Sequence, residues 1–172
     1  EITALGKPVV LIVMAGRPLV FGDLLDRTAA VLYAWHPGTM AGPALTDILF
    51  GTAEPTGRLP ITFPKAVGQI PIYYAHRNTG RPFNPATFVP MDKIPVGAPQ
   101  SSLGNESHYL DLGHEPAFPF GFGLGYTTFT LSGLKLDTAE IAAGASTKVH
   151  ATLENTGKRR GTAVIQLYIR DR

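Results

Sequence analysis

The chain of 172 residues contains no cysteine. That excludes disulfides, thiolate metal sites and a cysteine nucleophile, and it leaves the compartment open. Charge is also scarce. Asp, Glu, Lys and Arg make up 16% of the residues, against the ~25% of an average soluble protein. The net charge is only +2. The one basic cluster, Lys158-Arg159-Arg160, falls in a predicted hairpin turn, where a solvated loop is expected and no nucleic-acid partner. No apolar run approaches the ~18 residues that a membrane-spanning helix needs, and no membrane partner is expected. Five histidines (36, 76, 108, 114 and 150) show no zinc-ligand spacing, so neither a metal nor a cofactor is expected. Ser101 and Ser102 lack the glycines of a nucleophile elbow. Gly121-Phe122-Gly123-Leu124-Gly125 lacks the basic residue of a phosphate loop and reads as a close-packing segment.

What is present is a hydrophobic content of 44% with 19 glycines and 15 prolines, a turn-rich globular composition. Its most ordered stretch runs from Trp35 to Pro64. Ala41, Leu45, Ile48 and Leu49 recur at helical spacing, with Thr39 as the expected N-cap and Pro43 in the first turn. Gly51 stands where a left-handed C-cap belongs. Glu54-Pro55-Thr56-Gly57 reads as a β-turn. Arg58 to Pro64 alternates between prolines and is expected as a short edge strand.

Upstream, Glu1 to Pro8 reads as the last turn of a helix, so the chain is expected to begin within a domain. Val9–Met14 and Ala29–Trp35 read as strands buried on both faces of a parallel sheet, with a short helix between Leu19 and Arg27. In such sheets ligands approach the carboxyl ends of strands, which makes Gly16-Arg17 and His36-Pro37-Gly38 the loops nearest a site. From Lys65 to Gly125 the periodicity fails, with Ile70 to Tyr74 read as extended, yet aromatics abound. This segment is expected to drape over protein outside the chain. From Thr127 the period becomes two, with a bulge at Ser132-Gly133, a turn from Asn155 to Gly161 and a third strand through Ala163, Ile165, Leu167 and Ile169. His150 faces outward there and reads as solvated.

Three stretches carry a resemblance. They are Asp47 to Pro64 (DILFGTAEPTGRLPITFP), Gln69 to Pro82 (QIPIYYAHRNTGRP) and Pro119 to Phe129 (PFGFGLGYTTF). Together they resemble the C-terminal portion of glycoside hydrolase family 3, of the β-glucosidase type. Ser107-His108-Tyr109-Leu110-Asp111 is similar to a family Ser-Arg-Tyr-x-Asp segment, with histidine replacing arginine, and Met40 stands where an acid is common. The span from Ala86 to Glu106 is longer than usual and would shape the outer part of a pocket or reach a second subunit, which leaves homo-oligomerisation open.

The resemblance implies part of an α/β sandwich domain over residues 1–64. It implies a long connecting segment over 65–126, then the first strands of an all-β fibronectin type III-like sandwich over 127–172. It also implies a retaining hydrolase acting on β-linked glucosides or short oligosaccharides, periplasmic or secreted. Such an enzyme needs two carboxyl groups ~5–5.5 Å apart. Both would lie outside this chain, in a barrel and an upstream α/β part that are its expected partners. No catalytic residue is therefore assigned. The candidates for substrate contact are His76, His108, Tyr109, Asp111 and Arg17, each with a purely structural role as the alternative. Asn78 and Arg81 are expected to fix a turn. By itself the chain is expected neither to fold independently nor to hydrolyse a glycoside. The competing reading is a non-catalytic carbohydrate- or protein-interaction module of the same fold.

Overall fold

The computed structural model describes residues 2–77, 80–99 and 106–169. They form two compact units. One comprises Glu1–Met40 with Arg58–Phe122, and the other Ala41–Gly57 with Gly123–Arg172.

The first unit contains a parallel pair, β1 (Val10–Val13) and β2 (Ala30–Tyr33), in register from Val10↔Ala30 to Val13↔Tyr33. The parallel reading of both strands holds. Their expected burial on both faces does not: Val13 is buried, but Val10 is 48% exposed. Burial of both faces needs a packed layer on each side of the sheet, and within the described residues these strands are only partly covered. The helix expected between Leu19 and Arg27 is reduced to a single 3-10 turn, Gly22–Leu24. Gly22 has φ +54°, and a residue in that region cannot continue a right-handed helix. The connection is closed by Thr28 Oγ1 donating to the Leu24 carbonyl at 3.1 Å and by the Arg27–Asp23 ion pair at 3.0 Å.

The core of this unit is aromatic. Phe63 is 1% exposed. Around it stand Tyr33 at 5.0 Å, Trp35 at 6.1 Å, and Phe21 and Phe118 both at 6.4 Å between ring centroids. The expected edge strand from Arg58 is realised as a pairing with residues 117–122 that is interrupted. Phe63 N–H donates to Phe118 O (2.8 Å), Leu59 N–H to Phe122 O (2.8 Å) and Gly121 N–H to Leu59 O (2.7 Å). Pro60, Pro64 and Pro119 have no N–H to donate, so only an isolated bridge at Phe63–Phe118 meets the pattern of a strand. Ile70 to Tyr74, read as extended, forms no strand; the Ile70–Pro71 bond is cis and Tyr74 lies in a turn. Gln69 is fully buried. Its Oε1 accepts from Lys65 N–H at 2.7 Å and its Nε2 donates to the Glu115 carbonyl at 3.0 Å, which satisfies a polar group that would otherwise be costly to bury.

The irregular middle was expected to drape over protein outside the chain. Some of its aromatic contacts lie within the segment itself. Tyr74 stacks on Phe120 at 4.3 Å, Phe118 lies 4.9 Å from Phe122, and Phe83 groups with Phe88, His108 and His114. Tyr73 and Tyr74 nevertheless remain 52% and 60% exposed, so these contacts cover only part of the aromatic surface of the segment.

The second unit begins with α1 (Ala41–Leu49). The helix starts one residue later than Thr39 as N-cap requires, leaving Met40 before it, and Pro43 falls in its first turn as expected. Gly51 has φ +77° and ends it as expected. The β-turn read at Glu54–Gly57 is absent. Glu54 instead reaches along the chain: Oε1 accepts from Tyr126 N–H at 3.0 Å and Oε2 from Thr162 N–H at 2.9 Å. The helix end is further tied by Tyr126 Oη donating to the Ile48 carbonyl (2.6 Å) and Arg159 donating to the Gly51 carbonyl (2.6 Å). Arg159 is thus bonded and lies 5.3 Å over the Tyr126 ring, although its cluster read as a solvated loop.

An antiparallel pair, β3 (Phe129–Leu136) and β4 (Val149–Asn155), completes the unit. The register shifts between Ser132 and Lys135, with Gly133 at φ +63°, where the bulge was expected. Asn155 caps the following turn, donating to Arg159 O and accepting from Gly157 N–H. Two expectations fail here. No strand is formed between Ala163 and Ile169: extended backbone becomes a strand only when it pairs in a ladder, and this segment pairs with neither free edge of the β3–β4 sheet. His150 is not merely solvated: its Nε2 lies 2.8 Å from Asp137 Oδ1. Among the described residues no helix is long and apolar enough to cross a membrane.

Candidate functional site

Parallel pairing puts the carboxyl ends of β1 and β2 at the same edge. Ala34 N–H extends the ladder to Val13 O at 2.8 Å. The loops that follow are then locked together. The Tyr33 hydroxyl donates to the Arg17 carbonyl. His36 lies against Gly16, its Nε2 only 2.5 Å from where a Cβ would stand, a packing that only glycine permits. Trp35 between them has φ +53°, a region that costs a bulky residue roughly 1–2 kcal/mol. Its contacts at 4.7 Å to Tyr33 and 6.1 Å to Phe63 hold it there. Arg17, a sequence candidate, is exposed at this edge, and it enters the lock through its carbonyl rather than its guanidinium.

Burial pushes the Tyr33 phenol above its usual value. The folded state therefore holds the proton more tightly than the unfolded chain. Its contribution is complete below pH ~10 and is lost as pH rises through the higher folded value. Tyr33→Phe is expected to flatten the alkaline limb of stability, read as melting temperature between about pH 9 and 11 beside the parent protein. An unchanged limb would show that other groups set it.

Of the remaining candidates, His108, Tyr109 and Asp111 sit on a clamped lobe built from residues 80–99 and 106–115. Ser107 N–H donates to Arg81 O, Met91 N–H donates to Leu110 O, and the Glu106 carboxylate accepts from Asn84 N–H and from the Thr87 hydroxyl, both at 3.2 Å. Tyr109 and Gly113 exchange backbone hydrogen bonds, which puts Asp111 at the exposed tip of a reverse turn. His108 is held edge-on by Phe83 and Phe88, each at 5.2 Å, and its Nδ1 is buried without a hydrogen-bond partner. The Tyr109 hydroxyl donates to the Pro71 carbonyl at 2.9 Å, joining this lobe to the segment that carries His76. His76 lies 5.7 Å from Tyr73.

His108, Tyr109 and Asp111 thus share one loop with His76 tethered nearby through Pro71, while Arg17 belongs to the strand-end lock. His114, 4.0 Å from Phe83, and the Trp35–His36 pair were not singled out in sequence as contact residues. The carboxyl-end rule did mark the His36 loop. Glu1, Asn78, Ser101, Ser102 and Asp171 lie outside the described residues. No group of three or more His, Cys, Asp or Glu able to hold a metal occurs among the described residues.

Residues 1–126 match the glycosyl hydrolase family 3 C-terminal domain. The chain belongs to that family. Among family 3 relatives, "Periplasmic beta-glucosidase" of Salmonella typhimurium is 42% identical over 98% of this chain and 20% of its own length. "Beta-xylosidase" of Formosa agariphila is 37% identical over 96% of this chain and 20% of its own length. The crystal structure of β-glucosidase from Listeria innocua in complex with isofagomine superposes with a TM-score of 0.73 at 40% identity, covering 90% of this chain and 20% of that one. The chain therefore spans about a fifth of the length of the family 3 proteins it matches.

Proposed function

We propose that this chain is the C-terminal part of a retaining β-glucosidase-type O-glycosyl hydrolase. In this reading it supplies scaffold and active-site rim while both catalytic carboxylates lie elsewhere in the protein. The observation that carries the reading is the 42% identity across 98% of the chain to a relative named as a β-glucosidase, of which the chain spans a fifth. Six of the thirteen acids add support: Asp23, Glu54, Asp92, Glu106, Glu115 and Asp137 are each engaged by a basic side chain or by hydrogen-bond donors of the chain itself. Residues 1–64 form the end of an α/β sandwich domain, 65–126 the connecting segment and 127–172 the start of a fibronectin type III-like sandwich. The substrates are β-linked glucosides or short oligosaccharides, and the partner is the remainder of the enzyme, with a second copy as a further candidate. A periplasmic or secreted location follows the name of the Salmonella relative.

His76, His108, Tyr109 and Asp111 are the rim residues. Phe83 and Phe88 fix the His108 ring and Nδ1 faces inward, so a sugar hydroxyl meets the ring at Nε2. In the full-length protein, His108→Ala is expected to lower kcat/KM for a β-linked glucose disaccharide about tenfold, the worth of one hydrogen bond to a positioned side chain. An aryl β-glucoside with a good leaving group should lose far less. Equal losses on the two substrates, with a matching fall in melting temperature, would assign His108 to structure alone.

A further inference from the structure

The lock at the carboxyl ends of β1 and β2 holds more than packing needs. His36 is exposed, yet its ring is fixed apex-on against Gly16, with Cδ2 and Cε1 at 3.3 and 3.5 Å from the Cβ position on either side of Nε2. Pro37 follows it and restricts the His36 backbone to extended conformations. Trp35 precedes it in a left-handed conformation that the aromatic core maintains. Strain of this kind in a bulky residue gathers at functional sites. A solvent-facing imidazole normally samples several rotamers and gains nothing from being held. Here a strained residue and a proline constrain the backbone on either side of His36, and Gly16 leaves the space its ring occupies. That ring stands at the strand ends where open α/β sheets take their ligands.

The geometry points to His36 as a saccharide-contacting residue, hydrogen-bonded to a sugar hydroxyl, with Gly16 as its positioning residue. The inference rests on the glycosidase reading above and adds a residue to it. An imidazole with one ring nitrogen against the backbone turns its other nitrogen to the ligand, which suits the alternating donors and acceptors of a neutral sugar. Gly16 contributes by being absent as a side chain. Any Cβ at this position would come within 2.5 Å of Nε2 and push the ring away. Since Nε2 is the far end of the side chain, the ring can move without the backbone following, so loss of the contact is separable from loss of the fold.

The test uses the full-length protein with glucose as a competitive inhibitor and an aryl β-glucoside as reporter. His36→Ala and Gly16→Ala are each expected to raise the inhibition constant of glucose about tenfold, the loss of one hydrogen bond. The double variant should be no worse than His36→Ala, since Gly16 acts only through the ring. His36→Gln, which retains a donor and an acceptor, should recover part of the affinity, and all four melting temperatures should stay close to that of the parent. An unchanged inhibition constant in His36→Ala overturns the assignment, as do additive losses in the double variant or a common fall in melting temperature. A parent protein that releases no aglycone from aryl β-glucosides or β-xylosides overturns the glycosidase reading itself, and the inference with it.

Discussion

Phe63→Ala is expected to be the most destabilising single substitution in the first unit, at about 3–5 kcal/mol. Phe63 is the ring on which Phe21, Tyr33, Trp35 and Phe118 all converge. It also holds the only bridge between the Leu59–Phe63 segment and residues 117–122 among the described residues. Prolines interrupt that pairing, so the backbone cannot replace what the side chain contributes. Truncation leaves a cavity among rigid rings that cannot collapse into it. It also frees Trp35, whose positive φ survives only while its neighbours over-determine it. Denaturant midpoints of Phe63→Ala and Phe63→Leu in the full-length protein would measure the effect. The leucine variant should cost less than half as much, because it keeps most of the volume. Equal midpoints for the two variants and the parent would show that the ring cluster is not the core of the unit.

Glu54→Ala should have the next largest effect, about 2–3 kcal/mol in the second unit. The carboxylate accepts from two backbone N–H groups far along the chain, those of Tyr126 and Thr162. Two glycines make room for it. A Cβ at Gly125 would stand 2.5 Å from Oε1, and one at Gly161 would stand 2.7 Å from Oε2. Around Gly125 every close neighbour belongs to Glu54, whereas Gly161 also meets Thr127 Cγ2 at 2.5 Å. Gly125→Ala should therefore destabilise by displacing the carboxylate, and most of that cost should vanish in a Glu54→Ala background. The cycle is read from denaturant midpoints of the four proteins. Costs that simply add would mean that Gly125 is needed for the backbone and not for Glu54. A partial loss in Glu54→Gln is expected, since an amide oxygen can accept one of the two N–H groups while its NH2 faces the other.

Both predictions concern residues whose sequence reading was incomplete. Phe63 read as one position of an alternating edge strand, and nothing local marked it as the centre of the core. Glu54 read as part of a turn because Pro55 and Gly57 follow it. Its real partners are more than seventy residues away, and local spacing carries no trace of them. The same holds for Gln69, a polar residue with no sequence sign of burial, and for Arg159, which read as one of three solvated cations. The candidate site was half legible. The carboxyl-end rule marked the Gly16 and His36 loops as candidates, and the Ser-x-Tyr-x-Asp segment marked His108 and Tyr109. Neither revealed which ring faces which backbone.

The sequence by itself determined the parallel pair, the helix with its glycine stop, the bulge at Gly133 and the family. Each of these is set by short-range terms: side-chain period, the φ that proline forbids or glycine allows, and fixed motif spacing. The tertiary structure alone decided which face of a strand is covered, whether residues 163–169 find a ladder partner, and which polar groups are paired. Those outcomes depend on surfaces brought together by chain folding, and the free energy of burial or of an unpaired donor exists only once the second surface has arrived.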